Sequence, residues 1–139
     1  MTLKNLDKKF LINSFLVFLI FLIDRISKIY VIYLDKKFLG SEIFSSKYLN
    51  INLIWNDGIA FGLFPFEKNS LYNVLTLIIF AIIVAIIFMA AKAEGIKKYS
   101  LLMILGGASG NVFDRLFNRS VPDFIDFHVG NFHWFIFNV

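Results

Sequence analysis

The sequence predicts an α-helical integral membrane protein. Of its 139 residues, 58% are hydrophobic, and the mean hydropathy is +0.73, whereas soluble domains are about 45–50% apolar. Long apolar runs recur along the chain, and lysines cluster beside their ends. The sequence has no cysteine, which excludes disulfides and thiolate metal sites. We therefore predict membrane-spanning helices within one domain, 1–139.

The first apolar run, 11–34, is long enough to cross a membrane. Its 24 residues would extend about 36 Å as a helix, and the hydrocarbon layer is about 30 Å thick. Asp24, Arg25 and Lys28 lie in its second half. Because Asp24 and Lys28 are four residues apart on one helical face, we expect an ion pair that fixes the helix.

The segment 35–69 is polar to mixed, and we expect it to lie outside the membrane. Apolar and polar side chains alternate within 49–55, interrupted only at Ile54, and this period of two predicts a short strand. The stretch NDGIAFGLFPF follows, with glycines that allow a tight backbone and phenylalanines suited to an interface.

Two more spans are predicted at 71–91 and 99–117, and a fourth begins at about 135–139. The centre of the third span, 106–110, consists of small residues, which let helices approach closely in a membrane.

A polar face follows these small residues. Asn111, Asp114 and Arg115 have the spacing i, i+3, i+4, so they share one side of the helix. A charge beside lipid costs roughly 3 kcal/mol or more. We therefore expect this face to point inward.

The basic residues predict a cytoplasmic N-terminus. Lysines precede the first run and follow the second, which is the positive-inside pattern: Lys4, Lys8, Lys9, Lys92, Lys97 and Lys98. No basic stripe lies on a water-exposed domain, so we expect no nucleic-acid partner. This orientation places six polar residues near the outer surface: Asp24, Asn56, Asn111, Asp114, Arg115 and Asp123.

Serine chemistry is one interpretation of the third span. The sequence Gly107-Ala108-Ser109-Gly110 resembles the short glycine-serine-glycine signature of rhomboid intramembrane proteases. A nucleophilic serine needs a base, but the two histidines lie beyond the predicted helix end. We interpret Ser109 as a packing residue.

A metal site is a second interpretation, because Asp123, Asp126, His128 and His133 carry suitable ligand atoms. Their spacing matches no zinc pattern of the H-E-x-x-H kind. We therefore interpret the histidines as interfacial residues and expect neither a metal nor another cofactor.

An aspartic mechanism is the third interpretation. Two carboxylates held close cannot both ionise, so one keeps a proton while the other activates water for attack on an amide. Asp123 would need a partner. Asp114 lies beside Arg115, and we expect Asp126 to point outward, so neither is an obvious second member.

Four short motifs resemble those of the lipoprotein signal peptidases, or signal peptidase II. Residues 56–61, NDGIAF, resemble N-x-G-x-A-F, and 110–115, GNVFDR, resemble G-N-x-x-D-R. Residues 121–124, VPDF, resemble V-x-D-F, and 23–25, IDR, fall where the family carries an aspartate in its first span. The resemblance covers essentially the whole chain.

The resemblance implies a four-span membrane aspartic endopeptidase with a small outer β-rich subdomain. Such an enzyme removes the signal peptide from diacylglyceryl-modified bacterial prolipoproteins, cutting before the lipidated cysteine. Its expected partners are this substrate and membrane lipids. The expected location is the bacterial cytoplasmic (inner) membrane, with the active site toward the outer face.

The motifs also imply roles for individual residues. Asp123 would be catalytic. The implied substrate-binding residues are Asn56, Asn111, Arg115 and Asn138, and the implied supporting residues are Asp114, Asp24, Gly58 and Phe61. The second catalytic aspartate is expected two positions after Val139, in the N-x-A-D motif that Asn138 opens, so most of the fourth span is missing from this chain.

Two other functions compete with a peptidase. A small membrane transporter or channel subunit could use Asp24, Asp114 and Arg115 as an ion path, but its charges would be spread through the membrane depth. A non-catalytic scaffold would leave the polar face of the third span without a purpose.

Overall fold

Three helices and one antiparallel sheet make up the described part of the chain. The computed structural model describes residues 3–58 and 69–139, so Phe61 lies outside the described residues. The helices are α1 (Leu3–Lys37), α2 (Asn69–Lys92) and α3 (Gly95–Asn118). The strands are β1 (Phe44–Ser45), β2 (Leu49–Asn56), β3 (Val121–Val129) and β4 (Phe132–Phe137).

Each of the three long apolar runs is helical, as the sequence predicts. The helices extend beyond the predicted bounds, because α1 continues to Lys37 and α3 begins at Gly95. α3 ends where Arg119 takes a left-handed conformation with φ of 58°, a common way to stop a helix.

The middle helix has the properties of a membrane span. Among the described residues, one helical segment is long and apolar enough to cross a membrane: Tyr72–Lys92, with 21 residues and a mean hydropathy of 3.2. Large apolar side chains remain exposed along it, including Leu77 at 67% and Phe88 at 64%. A helix that is apolar all round and largely uncovered is suited to lipid rather than water.

Small residues on α3 bring it close to α1. A Cβ atom added at Gly106 would lie 2.8 Å from the Val17 carbonyl oxygen and 2.7 Å from the Ile20 Cβ. One turn later, a Cβ at Gly110 would collide with the Asp24 carboxylate. The prediction that the small residues of the third run serve close helix packing is confirmed.

We predict that Gly106→Ala destabilises the protein, while Gly107→Ala does not. The first change forces α1 and α3 apart at a backbone contact, and overpacking of this kind costs about 1–3 kcal/mol. A Cβ at Gly107 would meet only the Val139 carbonyl oxygen at 3.6 Å, so the higher helix propensity of alanine should dominate. Thermal unfolding of both variants in detergent micelles tests this. Equal melting temperatures would contradict it.

The sheet joins two distant parts of the chain. Its strand order is β1-β2-β3-β4, with every neighbouring pair antiparallel. The strand predicted at 49–55 is confirmed as β2. β2 follows α1 and β3 follows α3, so their pairing brings the ends of these two helices to the same side of the molecule.

The structure corrects the prediction for the last residues. The run that the sequence assigns to a fourth span, at about 135–139, begins inside strand β4, which pairs with β3 through Ile125 and Phe137. A turn at Gly130, with φ of 59°, lets the chain reverse between the two strands. The exposed apolar residues of this hairpin resemble a membrane-spanning helix by composition. Their pairing across the two strands gives them an extended conformation instead.

Candidate active site

Asp123 lies buried at the centre of a small polar site. Its side chain is on β3 and only 6% of the residue is exposed. Asn56 donates a hydrogen bond from Nδ2 to Oδ2 of Asp123 at 2.8 Å, and Asn138 donates from Nδ2 to Oδ1 at 2.5 Å. Each carboxylate oxygen therefore accepts one amide hydrogen.

Strand pairing positions Asn56 for this contact. It is the last residue of β2 and pairs with Val121, while Ile54 pairs with Asp123 itself. The amide of Gly58 donates to Asn56 Oδ1 at 3.0 Å. Because Oδ1 is held by the backbone, the nitrogen of the carboxamide faces Asp123.

Strand β4 positions Asn138 from the other side. The strand ends at Phe137, which pairs with Ile125 on β3, and Asn138 is the next residue. The sequence indicates this residue only through the resemblance, and the structure brings it to Asp123 as a hydrogen-bond donor.

Burial raises the pKa of the Asp123 carboxyl above its ordinary value of 3.8. The hydrogen bonds from Asn56 and Asn138 and the positive charges of Lys28 and Arg115 act in the opposite direction, but loss of hydration is the largest cause. The site thus holds a carboxylate that binds a proton more readily than an aspartate in water.

We predict that Asp123→Asn becomes more stable relative to the parent protein as pH rises. A raised pKa means that the folded protein binds this proton more tightly than the unfolded chain. The favourable contribution of Asp123 to the free energy of unfolding is therefore complete below pH of about 3.8 and is lost as pH rises through the folded pKa. Unfolding of both proteins across this range measures the difference. A difference that is constant with pH would contradict the prediction.

Arg115 joins three parts of the fold beside Asp123. Its Nη2 donates to the carbonyl oxygen of Gly58 at 3.1 Å, and its own carbonyl accepts from the hydroxyl of Tyr72 at 3.3 Å. The residue is 6% exposed. Its Nε is buried and has no hydrogen-bond partner among the described residues.

A buried ion cluster lies on the helices next to this site. Lys28 is fully buried, and its Nζ donates to Asn111 Oδ1 at 2.7 Å and to Asp114 Oδ2 at 2.8 Å. The same nitrogen forms an ion pair with Asp24 Oδ1 at 2.7 Å, which confirms the predicted Asp24–Lys28 pair. The cluster links α1 to α3.

Arg25 completes the neutralisation of Asp114. It donates from Nη1 and Nη2 to the two carboxylate oxygens at 2.6 and 3.0 Å, a bidentate arrangement. Two carboxylates, Asp24 and Asp114, are thus balanced by two cations, Arg25 and Lys28. Asp24 is compensated by ion pairs, with Lys28 Nζ at 2.7 Å and Arg25 Nε at 3.4 Å from its carboxylate oxygens.

We predict that Lys28→Met lowers the free energy of unfolding by about 3–5 kcal/mol, the typical cost of removing one partner of a buried ion pair. The change leaves two buried carboxylates beside one arginine. Lys36→Met is the matched control, because Lys36 is exposed on the same helix. Equilibrium unfolding in mixed micelles compares them. Equal stability of the two variants would show that the cluster is not a structural constraint.

The structure places the other predicted residues as follows. The polar face of α3 points inward, since Asp114 and Arg115 are buried. Ser109 donates its hydroxyl to the carbonyl oxygen of Leu105 at 2.7 Å, as a packing residue within a helix can.

Asp126 is only 5% exposed, so the expectation that it points outward was wrong. It accepts from His133 Nδ1 instead, at 2.8 Å.

Sequence reasoning assigned no role at the site to three residues that lie beside it: Arg25, Lys28 and Tyr72. Arg25 and Lys28 were visible as charges within an apolar run, which is a signal for function, but nothing in the sequence shows that both reach Asp114. Tyr72 carries no signal of its own. Its position depends on how α2 packs beside α3.

The combination of a buried aspartate, two amide donors and a neighbouring arginine agrees with comparison to known proteins. A sequence profile described as Signal peptidase (SPase) II matches residues 16–139. The lipoprotein signal peptidase of Pelagibacter ubique (strain HTCC1062) is 45% identical over 132 residues, covering 95% of this chain and 80% of that protein. This chain belongs to the signal peptidase II family.

More distant signal peptidase II sequences are also similar. The lipoprotein signal peptidase of Francisella tularensis subsp. novicida (strain U112) is 34% identical over 116 residues, covering 79% of this chain and 72% of that protein. The lipoprotein signal peptidase of Anaplasma phagocytophilum (strain HZ) is 37% identical over 111 residues, covering 78% of this chain and 70% of that protein. The protein is therefore an aspartic peptidase with lipoprotein signal peptidase function. The transporter and scaffold alternatives are set aside.

The fold is also similar to that of solved bacterial membrane enzymes. Two solved structures of a bacterial membrane enzyme, obtained by the in meso method, are similar to this chain. One has a TM-score of 0.68 at 25% identity, with 91% of this chain and 76% of that chain covered. The other has a TM-score of 0.65 at 26% identity, with 91% of this chain and 80% of that chain covered.

Proposed function

We propose that this peptidase cleaves diacylglyceryl-modified prolipoproteins before the lipidated cysteine, with Asp123 as a catalytic residue. The observation that carries the proposal is the arrangement of Asp123, whose two carboxylate oxygens each accept one amide hydrogen while the residue is buried. Such a carboxylate is held in one orientation and is shielded from bulk water, as a catalytic group must be.

The hydrogen bonds favour a role for Asp123 as the general base. Amide donors on both oxygens stabilise the ionised form, so Asp123 removes a proton from the attacking water. Water adds to the scissile carbonyl carbon, and a protonated second aspartate donates a hydrogen bond to the developing oxyanion. The carbonyl then re-forms and the C–N bond breaks, as the second aspartate donates its proton to the leaving amine while Asp123 keeps the proton from the water.

The second aspartate is expected two positions after Val139, in the N-x-A-D motif that Asn138 opens. Asn138 already donates to Asp123. If a helix begins at Asn138, a residue three positions later shares its face, which supports a short separation between the two carboxylates. Asp114 is unsuited to this role, because Arg25 and Lys28 already bind its oxygens.

Other residues are proposed to hold the substrate backbone. The unpartnered, buried Nε of Arg115 is a donor suited to a peptide carbonyl. Asn111 is proposed to line the site while Lys28 holds its Oδ1, and Gly58 supports both Asn56 and Arg115 through its backbone. Asp24 and Asp114 support the helices beneath. A supporting role for Phe61 remains a prediction.

The topology supports a multi-pass arrangement with the site toward the outer face of the inner membrane. If α1, α2 and α3 each cross the membrane, the segments after α1 and after α3 lie on the same side, and these segments pair in one sheet. The lysines near Lys9 and Lys98 fall at the opposite ends of the helices, which favours a cytoplasmic N-terminus. The lipid-anchored substrate would reach Asp123 at the membrane surface.

We predict that Asp123→Asn reduces prolipoprotein cleavage by at least about 100-fold, the lower range for loss of a general base. The amide cannot accept a proton from water, although it keeps the shape of the side chain. Cleavage of a diacylglyceryl-modified prolipoprotein in micelles, by the chain extended through its downstream codons, measures the rate. Asp57→Asn is the matched control, because Asp57 is exposed and adjacent to Asn56.

The outcomes separate the parts of this proposal. Full activity of Asp123→Asn would overturn the catalytic assignment. The same assay with the 139-residue chain and with the chain extended through its downstream codons examines the second aspartate. Cleavage in the extended form alone supports its expected position, and equal cleavage by both forms contradicts it.

A further inference from the structure

Three metal-binding side chains meet on the β3–β4 hairpin, away from Asp123. They are Asp126, His128 and His133, and their ligand atoms all lie within 4.8 Å of one another. The sequence spacing matches no familiar zinc pattern, so strand pairing rather than sequence proximity produces this group. Asp123 is not part of it.

The register of the hairpin explains the grouping. His128 pairs directly with His133 across the two strands, and the rings stack with centroids 5.0 Å apart and an angle of 20° between their planes. Asp126 precedes His128 by two residues, which places both on one face of a strand. An irregularity between Asp126 and His128 shifts the pairing, and His133 reaches the Asp126 carboxylate.

The donor atoms suit a divalent metal. His133 Nδ1 lies 2.8 Å from Asp126 Oδ2, and His128 Nδ1 is buried without a hydrogen-bond partner among the described residues. A buried imidazole nitrogen with no partner is costly, and a metal ion would satisfy it. The side chain of His133 is 53% exposed, which gives an ion access from water.

We propose that Asp126, His128 and His133 form a Zn²⁺ site that fastens β3 to β4. Two imidazoles and one carboxylate, with a fourth position open to water, are a common ligand set for zinc. Zinc bonds of about 2.0–2.2 Å place tetrahedral ligands roughly 3.3 Å apart. The longest separation, up to 4.8 Å, must therefore close by about 1.5 Å when the ion binds.

The site has a consequence for the hairpin that carries Asp123. β3 bears Asp123 three residues before Asp126, and β4 leads into Asn138, the donor to Asp123. A metal that bridges the strands would hold their register. Zinc should therefore raise the melting temperature, since it binds the folded hairpin and not the unfolded chain.

A simple Asp126–His133 hydrogen-bonded pair is the competing account, and His128 distinguishes the two. The test uses protein purified without a histidine tag and treated with a chelator. Zn²⁺ titration calorimetry gives the affinity, and Co²⁺ as a spectroscopic probe reports tetrahedral coordination through its visible absorption. We expect His128→Gln and Asp126→Asn each to weaken Zn²⁺ binding by more than about tenfold, the least that even loss of an outer-shell partner typically costs.

Two controls keep the result specific. Glu42→Gln, an exposed change outside the cluster, should leave Zn²⁺ affinity and the zinc-dependent rise in melting temperature unchanged. Asp123→Asn should also bind Zn²⁺ normally, so the outcome is independent of the peptidase proposal. Melting of each variant in zinc-free buffer checks that it is folded. The proposal would be overturned if the parent protein did not bind Zn²⁺. It would also be overturned if a folded His128→Gln variant bound Zn²⁺ with the same affinity as the parent protein.

Discussion

The rest of the structure depends on the neutralisation of charge where α1 meets α3. Lys28 is fully buried and contacts oxygens of Asp24, Asn111 and Asp114. Gly110 makes room for the Asp24 carboxylate, since a Cβ there would collide with it. The pairing of the two helices and the burial of the charges therefore require each other. A cluster of this kind defines one alignment of α1 on α3, because a slip of either helix would leave a buried charge unpaired.

That alignment determines where the strands begin. β2 follows α1 and β3 follows α3, so the helix pairing sets the register in which Asn56 meets Asp123. Arg115 extends the connection, because it lies next to Asp114 on α3 and binds the carbonyl oxygen of Gly58 beyond β2. The Asp123 carboxylate is thus oriented by groups from separate elements.

Much of this arrangement could be predicted from the sequence, because its signals are local. Apolar length identifies the helices, the alternation in 49–55 identifies β2, and helical spacing places Asp114 and Arg115 on an inward face. The hairpin formed by β3 and β4 was missed. Both faces of β3 are covered near Val121 and Phe124, and its pairing with β4 is irregular after Asp126, so no clear period of two remains. Which oxygens Arg25 and Lys28 reach also depends on packing that no local pattern encodes.

The order of the strands also bears on when the enzyme can become active during its synthesis. Asn56 and Asp123, which meet in the site, are 67 residues apart in the chain. β2 is made early but finds β3 only after α2 and α3 have been made. Until then, the edge of β2 that later binds β3 has no partner from this sheet, and Asp123 has no donor from Asn56. A partly synthesised chain therefore lacks the assembled surroundings of Asp123.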